Sequence, residues 1–294
     1  MRPVSDSMTP KEILVTGATS GIGKATAQIL AEEGHNIHIL ARNGVKARQL
    51  IDELKKINKN GVFTFVEADL SSLKSVDTAA HLINCRLNKL DVIINNAGGI
   101  FQSRQESADG YELTLAMNHL GPFHLTNQLV PLLEKGTDAR IVNVSSGIHP
   151  RANINMSDFN LENSWSAMLS YANAKLYNIY SAQYWAEQLT DKDIQAFSLH
   201  PGVVNTGFAN GFRGFMKIIW SLIKPLMISP KKGAATSVYL AVSDDVADYN
   251  GAYFEKCKVS NPSTLATDNN LREQVINESF KLIQKVIGNG KNAH

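Results

Sequence analysis

The chain of 294 residues contains only two cysteines, Cys85 and Cys257, and they are far apart. Disulfide frameworks and zinc sites require closely spaced cysteines, so neither is indicated and no metal site is predicted. Isolated cysteines are typical of a reducing compartment, and we expect both to be small core residues. Four histidines likewise lack the spacing of metal ligands and are expected to be packed within the fold: His119, His124, His149 and His200.

The sequence also lacks an excess of charge of either sign. The 29 Lys and Arg residues oppose 27 Asp and Glu residues, a net charge of +2, and the charges are scattered along the chain. A nucleic-acid-binding surface requires clustered positive charge. No nucleic-acid partner is therefore predicted.

Long apolar runs are missing as well. No stretch of about eighteen apolar residues occurs, and the opening MRPVSDSMTP contains no apolar core of a signal peptide. We therefore expect neither secretion nor a membrane-spanning helix, and we expect a cytoplasmic location. Residues 1–10 are predicted to form a flexible tail.

Short runs rich in β-branched residues alternate with longer segments of helical periodicity. This alternation predicts an α/β fold, a doubly wound parallel β-sheet flanked by helices on both faces. No repeat or linker interrupts it, so residues 11–294 are predicted to form a single domain, with a C-terminal helix at about 268–288 that packs on the domain or on a partner subunit. The predicted strands cover residues 12–16, 36–41, 62–68, 91–95, 140–145 and 194–200.

The stretch TGATSGIGKATAQILAEEG places Gly17, Gly21 and Gly23 between the first predicted strand and the first predicted helix, which Gly34 ends. Glycine permits a positive φ and a close approach of ligand to backbone, and the N-terminus of the helix offers N–H groups to a phosphate. The pattern predicts a dinucleotide-binding turn. The alternative is a tight strand-to-helix turn that needs glycine for packing alone.

The spacing T-G-x-x-x-G-x-G resembles the short-chain dehydrogenase/reductase family, and further family motifs follow in order. They are N-N-A-G at 95–98, the asparagine of MNHLGPF at 118, paired serines at 145–146, Y-x-x-x-K at 171–175 and P-G-x-x-x-T at 201–206. The runs HLGPFHLT, IVNVSSGIH and HPGVVNTGF are most similar to retinol dehydrogenases and protochlorophyllide reductases. The resemblance implies a Rossmann fold and an oxidoreductase that interconverts an alcohol and a carbonyl.

The resemblance implies four catalytic residues. Tyr171 would be the general acid and base, Ser146 would bind the substrate oxygen, and Asn118 would support a water relay to Lys175. Tyr171 and Lys175 lie four positions apart, on one face of a predicted helix, and the lysine cation and the positive ring of an oxidised nicotinamide would both favour the phenolate form of the tyrosine. If Y-x-x-x-K occurred without the other motifs, it would be interpreted as an exposed pair on the surface of a helix. Ser145 is expected to be a structural hydroxyl at the end of a strand.

The resemblance also implies the residues that bind the nicotinamide cofactor. Asp69 matches the family's acidic position near the adenine ring, and an aspartate before a helix is also a routine N-cap, so both roles stay open. The full set is Gly17, Thr19, Ser20, Gly21, Ile22, Gly23, Arg42, Asp69, Leu70, Asn96, Ala97, Gly98, Tyr171, Lys175, Pro201, Gly202, Val204 and Thr206.

The end of the second predicted strand favours NADP(H) over NAD(H). Ala41 stands where NAD-dependent relatives place an acidic residue, and Arg42 follows it. A carboxylate would repel the 2′-phosphate of NADP(H), whereas an arginine binds it. The alternative is that Arg42 is a solvated surface residue.

The segment at about 207–230 is unusually apolar and is interrupted by Gly211, Gly214 and Pro225. Three interpretations stay open: a lid over the substrate, a peripheral membrane contact, and a subunit interface in a homodimer or homotetramer. A lid would imply a lipophilic alcohol, aldehyde or ketone as substrate, with retinoids as one candidate. The apolar side chains are Phe208, Phe212, Phe215, Met216, Ile218, Ile219, Trp220, Leu222 and Ile223.

Two other functions are compatible with such a fold. A catalytically silent NADP(H)-binding regulator needs no proton donor, and the complete serine, tyrosine and lysine set argues against it. An isomerase or epimerase would need a larger C-terminal substrate domain than the residues after His200 form. The predicted function is therefore an NADP(H)-dependent oxidoreductase.

Overall fold

A computed structural model describes residues 9–204 and 227–290 of the protein, so most of the predicted tail and most of the apolar segment lie outside the described residues. The strands are β1 (Glu12–Thr16), β2 (Asn36–Ala41), β3 (Phe63–Glu67), β4 (Val92–Asn95), β5 (Ala139–Val144), β6 (Ile194–His200), β7 (Tyr253–Glu255) and β8 (Lys258–Val259).

The long helices are α1 (Gly21–Glu32), α2 (Gly44–Ile57), α3 (Leu73–Arg86), α4 (Gly121–Leu133), α5 (Ala167–Gln188), α6 (Pro230–Val242) and α7 (Asn269–Gly290). A helical turn at Leu113–Leu115 and a π-helical turn at Ala116–Leu120 lead without a break into α4. Among the described residues, no helix is both long and apolar enough to span a membrane.

The described strands form one sheet in the order β3-β2-β1-β4-β5-β6-β7-β8. All neighbouring pairs are parallel except β7 and β8. From β1 the chain adds β2 and β3 on one side of the sheet. It then crosses to the other side of β1 and adds β4, β5 and β6 in the opposite direction. This reversal opens a crevice at the carboxyl ends of β1 and β4.

Helices cover both faces of the sheet, which explains why its central strands are apolar without alternation. In β1, Leu14 packs into the core on the side of α3, α4 and α5, while Ile13 and Val15 pack into the core on the side of α1, α2 and α6. Successive residues of a strand point to opposite faces, so both must be apolar. The predicted doubly wound α/β fold is confirmed.

The sequence misses β7 and β8, at one edge of the sheet. They contain three and two residues, too few for an apolar pattern to distinguish a strand from a loop. The end of α1, in contrast, follows the prediction. Gly34 has a φ of +96°, and the N–H of His35 donates to the Leu30 carbonyl at 3.0 Å, as in a Schellman turn.

The expectation that both cysteines lie in the core is wrong: Cys85 is exposed on α3, and Cys257 is only half-buried. The buried stripe of α3 follows Val76, Ala79, Ala80 and Ile83, and position 85 falls off that stripe. The predicted C-terminal helix is α7. It packs within the chain, where Phe280 contacts the rings of Phe123 and Tyr184.

Candidate active site

The glycine turn between β1 and α1 is shaped by close backbone packing. A Cβ on Gly17, whose φ is +66°, would lie 2.8 Å from Ala97 Cα, and one on Gly23 would lie 2.5 Å from the Gly17 carbonyl oxygen. Gly21, with a φ of +55°, begins α1. Close packing therefore accounts for the glycines at positions 17 and 23. Because they have no side chains, the backbone of the turn lies at the surface of the crevice.

The first turn of α1 is not capped by a side chain. Ser20 occupies the N-cap position without a side-chain capping bond, whereas Asn43 caps α2 and Ser72 caps α3. An uncapped helix N-terminus after a parallel strand is a favourable position for a phosphate, because its N–H groups and the helix dipole both attract negative charge. The turn thus fits the pyrophosphate of a dinucleotide.

Asn96 holds this turn in place. Its side-chain amide donates to the Thr16 carbonyl at 2.8 Å, and the backbone N–H groups of Asn96 and Ala97 each donate to Thr16 Oγ1 at 3.0 Å. The Asn96 side chain, which is predicted to bind the cofactor, is therefore also hydrogen-bonded to the backbone of the turn that would surround the cofactor.

Gly23→Ala is expected to destabilise the protein by about 1–3 kcal/mol, because the new Cβ meets a backbone oxygen that cannot move aside. Gly288→Ala is the matched control: its Cβ would meet nothing closer than Gln284 Nε2 at 3.5 Å, and alanine favours a helix. Thermal unfolding should show a lower Tm for Gly23→Ala alone. A wild-type Tm for Gly23→Ala would contradict the packing.

A cleft of about 1240 Å³ runs from the glycine turn to the predicted catalytic residues at the carboxyl ends of the strands. Every predicted cofactor-binding residue that the structure describes lines it, at Gly17, Thr19, Ser20, Gly21, Ile22, Gly23, Arg42, Asp69, Leu70, Asn96, Ala97, Gly98, Tyr171, Lys175, Pro201, Gly202 and Val204. Thr206 lies outside the described residues.

Ser146, Tyr171 and Lys175 meet at one end of this cleft. Ser146 follows β5 and is hydrogen-bonded to Tyr171 on α5. The Lys175 Nζ lies 5.5 Å from the centre of the Tyr171 ring and donates to the Val144 carbonyl at 2.9 Å. The Ser145 hydroxyl donates to the Lys175 carbonyl at 2.6 Å, which joins β5 to α5 as a structural hydroxyl would.

Burial dominates the protonation of this pair. It raises the pKa of Tyr171 to about 12, against a smaller lowering by the Ser146 hydrogen bond, and it lowers the pKa of Lys175 to about 8. Removal of water from around the phenolate is the main cause of the raised pKa of Tyr171, and the stabilisation of the phenolate by Lys175 and an oxidised nicotinamide ring stays a prediction. Tyr171 is a neutral phenol at pH 7.

Asn118 lies beside this group and not on the wall of the cleft. Within the π-helical turn, its Oδ1 accepts from the Gly99 N–H at 2.7 Å and its Nδ2 donates to the Gly99 carbonyl at 2.8 Å. A Cβ on Gly98 would lie 2.9 Å from Asn118 Oδ1 and 3.3 Å from Lys175 Nζ. The two side chains therefore approach the same point, where Gly98 leaves room for them.

The opposite end of the cleft holds Arg42 and Asp69. The Arg42 side chain is 64% exposed, and its guanidinium lies 3.9 Å from the Asp69 carboxylate. Asp69 does not cap α3, because Ser72 does, and its Oδ1 instead accepts from the Ser71 N–H at 2.9 Å. The N-cap interpretation of Asp69 is therefore wrong. Lys46, which the sequence argument missed, lines the cleft at the start of α2.

The cleft also has apolar lining that no motif marks. Met168 precedes Tyr171 by one helical turn, a spacing that could have identified it. The rest of this lining looks like ordinary core in the sequence and is found at Ile100, Met117 and Ile148. His200, expected to be packed, accepts from the Gly147 N–H at 2.9 Å and contributes to the same wall.

The fold and the cleft define a dinucleotide-binding α/β protein with a tyrosine and a lysine at the end of its binding site. Residues 11–215 match the family model described as short chain dehydrogenase. The chain belongs to the short-chain dehydrogenase/reductase family. It is accordingly an oxidoreductase that acts on CH–OH or C=O groups of a small molecule with a nicotinamide cofactor.

Individual relatives agree with this assignment. The chain is 32% identical to retinol dehydrogenase 12 of Homo sapiens over 273 residues, 93% of this chain and 86% of that protein. It is 35% identical to retinol dehydrogenase 14 of Homo sapiens over 270 residues, 84% of this chain and 79% of that protein. The predicted similarity to retinol dehydrogenases is confirmed.

Solved structures share the fold. An uncharacterised protein from Mycobacterium paratuberculosis superposes with a TM-score of 0.76 at 27% identity, over 95% of each chain. A short-chain type dehydrogenase/reductase from Mycobacterium marinum superposes with a TM-score of 0.69 at 20% identity, over 84% of this chain and 94% of that chain.

Proposed function

We propose that the protein interconverts an alcohol and a carbonyl on a lipophilic substrate, with NADP(H) as cofactor and Tyr171 as general acid and base. The observation that carries this proposal is the meeting of Ser146, Tyr171 and Lys175 in the same cleft as the glycine turn. A silent NADP(H)-binding regulator has no use for a proton donor on the wall of the cleft at that position, so the enzyme is the favoured function.

The cofactor, when bound, supplies or accepts a hydride at its nicotinamide ring. During reduction, the Ser146 hydroxyl donates a hydrogen bond to the substrate oxygen and the neutral phenol of Tyr171 transfers its proton to that oxygen. During oxidation, the phenolate of Tyr171 accepts the proton of the alcohol. With a pKa of about 12, Tyr171 carries its proton at neutral pH, as the reduction direction requires.

Lys175 would stabilise the phenolate that remains when Tyr171 gives up its proton, and would hold the ribose hydroxyls of the cofactor. Its pKa of about 8 allows exchange of a proton near neutral pH. Asn118 and Lys175 approach the same point beside Gly98, a placement that supports a water relay between them.

The preference for NADP(H) is supported by charge at the end of β2. Arg42 and Lys46 line the cleft there, and Ala41 brings no carboxylate. Asp69 competes for Arg42 only weakly, because an ion pair at 3.9 Å between exposed groups contributes little in water. The guanidinium is therefore available to a 2′-phosphate.

A lipophilic substrate is supported by the apolar wall beside Tyr171, formed by Ile100, Met117, Ile148 and Met168. Apolar walls with a few placed polar groups are typical of sites for small apolar ligands. A cytoplasmic location is part of the proposal, based on the scattered charge and the few cysteines. A homodimer or homotetramer stays a prediction, to be tested by light scattering.

The purified protein should oxidise NADPH when incubated with a panel of aldehydes, ketones, quinones and retinoids while cofactor absorbance is followed. Binding of NADPH without turnover of any panel member, in either direction, would indicate the silent regulator instead. Turnover restricted to small polar carbonyls would retain the enzyme and reject the lipophilic substrate.

Within that panel, kcat/KM is expected to rise along straight-chain aldehydes by about two- to fourfold per methylene, because each added group enters an apolar environment. Met168→Ser should flatten the series for the longer members and leave the shortest unchanged. A flat wild-type series would contradict an apolar substrate site. Stable flotation of the protein with liposomes would favour a membrane contact for residues 207–230 over a lid.

A further inference from the structure

Glu112 is a carboxylate in the interior of the protein, 0% exposed. Its Oε2 accepts from the Leu115 N–H at 2.8 Å and from the Ser170 hydroxyl at 2.6 Å, and its Oε1 accepts from Trp165 Nε1 at 3.2 Å. Within residues 9–204 and 227–290 it forms no ion pair. A buried carboxylate is costly unless hydrogen bonds replace its water, so these three donors are what allow it to lie there.

The donors belong to two segments that carry the proposed catalytic residues. Leu115 lies in the helical turn that Glu112 caps, and this turn continues into the π-helical turn of Asn118. Ser170 directly precedes Tyr171 in the first turns of α5, and Trp165 lies just before Ser166, the N-cap of that helix. One carboxylate therefore connects the segment of Asn118 to the start of the helix of Tyr171.

We propose that Glu112 is a positioning residue, which holds the first turns of α5 against the Asn118 segment and thereby sets Tyr171 relative to Ser146. The inference rests on the proposed function of Tyr171. Neighbouring residues of a helix move together, so the bond to Ser170 also restrains the rotation of Tyr171 about the helix axis. Proton transfer is sensitive to such placement, because a shift of about 1 Å can lower turnover about a hundredfold.

A purely structural role would be different. Glu112 caps a short helical turn, and loss of a cap lowers stability without changing the chemistry of the folded protein. The glycine turn and Arg42 follow β1 and β2, and in the part of the chain that the structure describes the side-chain hydrogen bonds of Glu112 go to Leu115, Trp165 and Ser170 instead. A positioning role therefore predicts slower turnover with unchanged cofactor affinity in protein that is still folded.

The test measures kcat and the Kd for NADPH in Glu112→Gln, in Ser170→Ala and in the double variant that combines these two changes. Glu106→Gln is measured beside them. Glu106 is the matched control because it lies on the same segment but is exposed and paired with Arg104. We expect kcat to fall at least about tenfold in Glu112→Gln and severalfold in Ser170→Ala, with the Kd for NADPH within twofold of wild type. The double variant should be no slower than Glu112→Gln, because both changes remove the same bond.

Unchanged kcat in folded Glu112→Gln, or effects of the two single variants that multiply fully in the double variant, would overturn the proposal. If Glu112→Gln does not fold, the kcat values of Ser170→Ala and Trp165→Phe test the proposal instead. Each removes one donor and keeps the carboxylate, and only Ser170 adjoins Tyr171. Equal kcat values for these two variants would reject positioning through Ser170.

Amide hydrogen exchange provides a measurement that does not need turnover. Residues 166–172 should exchange faster in Ser170→Ala than in wild type, while residues 12–41 should keep their wild-type rates. Unchanged exchange at the start of α5 would overturn the role of Glu112 even if no substrate is found. Absence of wild-type turnover with altered exchange would instead reject the proposed function alone.

Discussion

Tyr171→Phe is expected to lower kcat/KM by about 10²- to 10⁴-fold and to leave the Kd for NADPH within a few-fold of wild type. The substitution keeps the ring and removes only the hydroxyl that would carry the proton to the substrate oxygen. Steady-state kinetics and a fluorescence titration of NADPH measure the two quantities separately. Turnover above about a tenth of the wild-type value would exclude Tyr171 as the general acid.

Tyr184→Phe is the matched control, since it deletes the same atom from the same helix, where the Tyr184 ring packs on Trp185 and Phe280. It should turn over at the wild-type rate. Lys175→Ala supplies the contrast, because loss of its ammonium should weaken cofactor binding as well as turnover. Equal affinity for NADPH in Tyr171→Phe and Lys175→Ala would contradict a role of Lys175 in holding the ribose.

Combining Ala41→Asp with Arg42→Ala is expected to reverse the cofactor preference from NADPH to NADH. An arginine contact to the 2′-phosphate is worth about 1.5–3 kcal/mol, or about tenfold to somewhat over a hundredfold in affinity. The new aspartate would accept hydrogen bonds from the ribose hydroxyls and repel the phosphate. Titrations of both cofactors against wild type and variant give the ratio directly.

Arg48→Ala is the control for charge, because Arg48 is exposed on α2 but does not line the cleft. Its NADPH to NADH ratio should equal that of wild type. The wild-type advantage of NADPH should also shrink as ionic strength rises, since the exposed guanidinium is screened by salt. Equal affinity of wild type for both cofactors at low salt would reject the assignment to NADP(H).

The fold was predictable from the sequence because the alternation of apolar strands and segments of helical periodicity is local and recurs along the chain. The central strands are mostly apolar without alternation, and the strands β1 to β6 alternate with segments of helical periodicity, so β1 to β6 and the connecting helices can be recognised in the sequence. The short strands β7 and β8 leave no such pattern, because they contain three and two residues and form only where β7 pairs with β6 and β8 pairs with β7. Cys85 was misplaced for a related reason: its residue type favours the core, and its helix face does not.

The candidate site was predictable wherever its residues form a motif of fixed spacing. Gly17, Ser146, Tyr171 and Lys175 stand in such motifs, and the structure places them along one cleft. Lys46 and Ile148 belong to no motif and reach the cleft only because strand ends converge. The role of Asp69 was open because the sequence offers both Asp69 and Ser72 before α3; in the structure Ser72 is the N-cap, and the Asp69 carboxylate accepts from the Ser71 N–H.

The sequence by itself determined the α/β alternation, the order of the motifs and hence the family, because these depend on periodicity and spacing along the chain. Only the tertiary structure decided that Tyr171 is a half-buried neutral phenol on the wall of the cleft and that Glu112 joins its helix to the Asn118 segment. The physical reason is that burial and long-range hydrogen bonds depend on which distant segments become neighbours. Neither the burial of an ionisable group nor its hydrogen bond to a distant segment can be predicted from the residues beside it in the sequence.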